Sequence, residues 1–141
     1  MRQVGTLGHV EAQQAIAAIQ SELMRRKKEA VIAVADGHGD LIGLLRLDGA
    51  PASSATIAAN KAWTAARERK PTLEIGQAMR HPEHGFDISF YGDPRYVGWG
   101  GGVPVLVAGQ VVGSVAVSGL TQEEDAELAG LGVAAITQGL G

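Results

Sequence analysis

No cysteine occurs among the 141 residues, which removes disulfides, zinc–thiolate sites and cysteine nucleophiles from consideration. Aromatic residues are scarce at 4%, so a core must be built from Ala, Val, Leu and Ile, with elements packed close together. There is no excess of positive charge: the net charge is −3, which gives no electrostatic footprint for nucleic acid. The one basic run, "MRRKKE" at 24–29, closes a helical pattern, where cations complement the helix dipole. Nothing approaches the run of about 20 apolar residues that a membrane span needs, and the N-terminus has no apolar leader core. These absences point to one cytoplasmic domain over residues 1–141, with neither nucleic acid nor membrane as partner.

What is present reads as alternating helices and hairpins. Between Val10 and Lys28 the apolar positions Ala12, Ala15, Ile16, Ile19, Leu23 and Met24 form one helical stripe. "AVIAVADGHGDLIGLLRLDG" gives two strands around a Gly- and Asp-rich turn. A second helix is expected to start at Ser53 or Ser54 as cap and to stop before Pro71. Its alanines at 55, 58, 59, 62, 65 and 66 leave a face with almost no bulk, which something must approach closely. A short helix over Thr72–Met79 precedes an irregular, aromatic-bearing stretch, "RHPEHGFDISFYGDPRYVGWGGG". "VPVLVAGQVVGSVAVSG" is a second hairpin, expected to turn at Gly109-Gln110. Thr121 with Glu124 three residues on forms a capping box for a last helix reaching Gln138. Hairpins pair antiparallel, so the expected fold is α+β: an antiparallel sheet of two hairpins with flanking helices.

The glycine run Gly100, Gly101 and Gly102 is not a nucleotide loop. It leads into a strand, carries no Walker lysine and opens no helix. Two readings remain. The glycines let the chain enter an edge strand at φ > 0, with Pro104 limiting its donors, or they let a flat ligand or a neighbouring subunit lie on bare backbone.

Several segments together resemble the GlcG/HbpS-like family, which includes the C-terminal domain of PduO proteins. They are "AVADGHGDLIGLLRLDGAPASSATIAANKAWTAA", then "PT", then "GGGVPVLVAGQVVGSVAVSGLTQEEDAELAGLG". The likeness runs through most of Val31–Ala135 and lapses over 76–98. It implies a profilin-like or GlcG-like sheet with helices, assembly into tetramers or octamers, and haem or related tetrapyrrole binding in some members.

An axial haem ligand would come from His9, His38, His81, His84, Tyr91 or Tyr96, and His38 in the first turn is taken as the cofactor residue. The "HPEH" pair His81 and His84 could share a metal with Glu83 or Asp87, but Pro82 breaks the helix that would aim both one way, so no metal is assigned. Arg46 and Asp48 end a strand. Lys61 and Thr64 share one helical face, where Lys61 either reaches solvent or an ion pair, or enters a pocket as a cation. Ser118 and Gly119 lead into a helix N-terminus, as an anion nest or as simple capping. With Trp99 and the glycine run, these residues make a candidate small-molecule site. The expected function is an oligomeric haem-binding protein. The alternative is a cofactor-free isomerase, hydratase or lyase on a small carboxylated metabolite, with Lys61 and Arg46 catalytic. A third option is an accessory oligomer without a ligand of its own.

Overall fold

In a computed structural model, which describes residues 1–140, the α+β expectation holds. The order is α1 (His9–Arg26), β1 (Val31–Asp36), β2 (Leu41–Arg46), α2 (Ala52–Glu68), α3 (Thr72–Met79), a 3-10 turn (Ile88–Tyr91), β3 (Gly102–Val107), β4 (Gln110–Ser118) and α4 (Gln122–Leu140). The strands form one antiparallel sheet in the order β2-β1-β4-β3, so the two hairpins join through β1 and β4.

Side-chain alternation along the central strands sorts residues by size. Ile32 and Val34 of β1 pair with Val117 and Val115 of β4. These face α1 and α4 in a cluster with Ile19, Leu23, Leu128 and Ile136. Ala33 pairs with Ala116 and, with Ala35, meets Ala58 and Ala62 of α2. Ala58 and Ala62 of the alanine face therefore pack on the chain's own sheet, and dispersion across that short distance replaces side-chain bulk. Arg26 and Lys28 of the basic run bridge to Glu124 at 3.0 and 2.7 Å, clamping α1 to α4. Lys28, with Arg26, holds the Glu124 carboxyl below its usual range.

Three local readings change. α2 starts at Ala52 after Pro51, with no side-chain cap, so neither Ser53 nor Ser54 caps it. The second hairpin turns at Ala108-Gly109, both at positive φ (51° and 77°), the pair that a type I′ turn requires. The capping box is half made: Thr121 Oγ1 accepts from the Glu124 amide at 3.2 Å, while the Glu124 carboxylate goes to α1.

Candidate functional site

Lys61 enters the protein. It is 2% exposed, and its Nζ donates to the Val117 carbonyl at 3.0 Å and to Asp125 Oδ2 at 3.2 Å. Asp125, also 2% exposed, accepts from the Leu120 amide through its other oxygen at 3.1 Å. Burial pushes the Lys61 ammonium below and the Asp125 carboxyl above their ordinary values, each opposed by its partner's charge.

The glycine run is shaped around this lysine. A Cβ on Gly101 would stand 2.4 Å from the Val117 carbonyl oxygen and 2.7 Å from Lys61 Nζ, and one on Gly102 would stand 2.5 Å from the Lys61 carbonyl oxygen. Gly101 sits at φ +136°. Gly102 N donates to Thr72 Oγ1 and Gly100 N to Gln122 Oε1. What lies against the bare backbone is the chain itself: Leu73 and Gln122 at Gly100, the Val117 carbonyl and Lys61 at Gly101, and Lys61 and Thr72 at Gly102.

Beside the pair opens a cleft of about 440 Å³, lined among others by Ser54, Ile57, Lys61, Trp99, Ser118 and Asp125. Lys61, Trp99, Ser118 and Gly119 thus come together. The other candidates do not join them. Thr64 is fully buried: its hydroxyl donates to Arg95 O and accepts from the Val97 amide, both at 3.1 Å, tying the irregular segment to α2. Thr64→Val is expected to cost about 1–2 kcal/mol and to speed proteolytic cutting between 86 and 98, read by limited digestion. Arg46 and Asp48 are exposed, and Arg46 pairs with Val31, one strand removed from Ser118. His38 is exposed at the far end of β1, near Gly113. His81 and His84 stack on each other at 5.0 Å, and His81 Nδ1 accepts the Glu83 and His84 amides. Among the described residues no three His, Asp or Glu side chains gather to hold a metal ion. None of the described helices is long and apolar enough to cross a membrane.

The sequence model described as "Haem degrading protein HbpS-like" matches residues 7–134. The chain belongs to the HbpS-like family. Protein GlcG of Escherichia coli K12 is 37% identical to this family member over 103 residues, covering 73% of the chain and 74% of GlcG. The crystal structure of Klebsiella pneumoniae protein ORFY superposes with a TM-score of 0.92 at 33% identity, over 97% of this chain and 94% of that one. The PduOC:heme complex shares the fold, with a TM-score of 0.84 at 24% identity, over 92% and 94%.

Two groups in this HbpS-like chain escaped the sequence reading. Asp125 stands with Glu123 and Glu124 in the first turn of α4, where the helix dipole would account for all three, yet it shares a stripe with Leu128, Ala129, Gly132 and Ile136, the inward face of α4. That spacing was the available signal. The second group surrounds Trp63, which carries the Arg67 and Arg95 guanidiniums at 4.8 and 4.3 Å from its ring centre. Tyr96 meets the same indole edge-on at 4.6 Å, and Tyr91 meets Tyr96. No local pattern joins residues thirty positions apart.

Proposed function

We propose that the protein binds haem or a related tetrapyrrole at the turn carrying His38. The observation behind this reading is the company His38 keeps. A tetrapyrrole with propionate arms asks for an axial donor, cations and apolar surface close together. His38 offers an exposed imidazole on a turn braced by Asp36, whose carboxylate accepts the His38 and Asp40 amides at 2.9 and 3.0 Å. Arg67, which donates to the His38 carbonyl at 3.4 Å, would meet a propionate, and it rests on Trp63 together with Arg95, which Asp93 holds at 2.8 Å. Tyr96, Tyr91 and Phe86 extend the aromatic surface from there. These residues fit the group, and family membership supports the same ligand class. Bound haem would supply an iron centre open to ligand exchange or electron transfer. The chain's own part is to hold it, orient it by its propionates and shield one face. A homo-oligomer follows from the same reading, since a flat ring on an open surface keeps one face in water until a second protomer covers it.

Haemin titration tests this. A saturable Soret shift at micromolar haemin is expected in the wild type. His38→Ala should abolish it, and Arg67→Ala should weaken it roughly tenfold, the loss of one charge-assisted contact. No saturable shift in the wild type would overturn the reading, and an unchanged shift in His38→Ala would remove His38 as the ligand.

A further inference from the structure

The Lys61 cleft is a separate place. Lys61 and Trp63 are two residues apart on α2 and so point to opposite sides of the helix. The cleft lies at the Ser118 end of the sheet, while His38 lies at the Gly113 end.

Its chemistry is specific. An ammonium has three N–H groups, and Lys61 directs one to Val117 and one to Asp125, leaving one over. Ser54 and Ser118, 6% and 4% exposed, line the cleft, and their hydroxyls hydrogen-bond to no other side chain or backbone group among the described residues. Gln122 accepts from Gly100 and keeps its amide N–H groups. Trp99, 55% exposed, stands at the rim as a flat apolar wall. The charges of the pair cancel, so an added carboxylate gains little from it. The spare groups are hydrogen-bond donors around an amine, which suits a neutral acceptor.

We propose that this cleft takes a small aldehyde or ketone and that Lys61 condenses with it to an imine, Asp125 carrying the protons. The ammonium first gives a proton to Asp125. The free amine then adds to the carbonyl carbon, forming the C–N bond, while the π pair moves to oxygen and takes the proton from Asp125. The nitrogen next loses a proton to Asp125, which passes it to the hydroxyl as the C–O bond breaks. Water leaves, a protonated imine remains on Lys61, and Asp125 returns to its carboxylate. No oxidant or reductant enters. The hydroxyls of Ser54 and Ser118, which line the same cleft, would hold the carbonyl oxygen during addition. Burial keeps the amine available by disfavouring its charged form.

The test uses the whole ligand-free protein with acetaldehyde and cyanoborohydride near neutral pH, which reduces an imine to a stable ethylamine. Peptide mapping by mass spectrometry then reads each lysine. Lys61 is expected to be ethylated roughly tenfold faster than the exposed Lys27, Lys28 and Lys70. Ile57→Trp, at a half-buried rim position, should slow Lys61 labelling roughly tenfold by filling the cleft, with the melting temperature kept. Slower labelling at Lys61 than at the exposed lysines would overturn the proposal, as would unchanged labelling in Ile57→Trp. His38→Ala should label like the wild type, which separates this result from the fate of the haem reading.

Discussion

Asp125→Ala is expected to cost about 3–5 kcal/mol, the penalty for leaving a buried charge without its partner. The variant keeps Lys61 at 2% exposure with only the Val117 carbonyl as acceptor, and it strips the Leu120 amide of its own. Lys61 can relieve the strain by losing its proton, because burial already holds its pKa below the ordinary value of 10.5. The sign follows from linkage. With the folded pKa depressed, the folded variant binds fewer protons than the unfolded chain at intermediate pH, so its stability climbs as pH rises toward about 10.5. Urea unfolding at several pH values reads both effects. The double change Lys61→Met with Asp125→Leu removes both charges and should recover most of the loss, since apolar replacement of a buried pair is often neutral or better. A cost under about 1 kcal/mol for Asp125→Ala would show that the pair is solvated in solution.

The second large effect is at Gly101. Gly101→Ala combines a left-handed backbone, at φ +136°, with a Cβ 2.4 Å from the Val117 carbonyl oxygen. The strained backbone costs on the order of 1–3 kcal/mol and the overpacking a similar amount, so a loss of about 3–5 kcal/mol is expected. The alanine would also push on Lys61 Nζ, 2.7 Å from the new carbon, and drive it off Asp125. Gly130→Ala is the matched contrast. Gly130 lies inside α4 with nothing within 4 Å of an added Cβ, so alanine there should stabilise by up to about 1 kcal/mol. Opposite signs at the two positions, measured by denaturant midpoint, test whether close contact with the Val117 carbonyl of β4 and the Lys61 side chain is what demands glycine. A Gly101→Ala midpoint equal to wild type would refute it.

The contrast between Gly101 and Asp125 shows what a sequence can and cannot announce. The alternation in β1 and β4, the hairpin turns and the helical stripes are local, and they carried the antiparallel sheet and its helices. The alanine face announced a close approach, but what approaches is a property of the fold, and the chain's own sheet answers it. Lys61 was ambiguous because its partner lies on α4, 64 residues away, where three acidic residues in a row made a helix dipole the simpler explanation for Asp125. The Trp63 cluster was out of reach for the same reason: its members come from α2 and from a stretch without periodicity.

The size sorting across the sheet bears on how this sequence can drift. On the α1–α4 side, Ile, Leu and Val exchange volume with neighbours of similar bulk, and compensating changes are available. On the α2 side the contact is mostly alanine against alanine with Val31 beside them, and at those alanines nothing smaller serves but glycine and anything larger lifts the helix. Lifting α2 moves Lys61 and Trp63 together, since both ride on it. Variation should therefore accumulate in one layer while the other stays frozen, and a library aimed at the apolar positions of the α1–α4 layer, with Asp125 held fixed, would leave both sites in place.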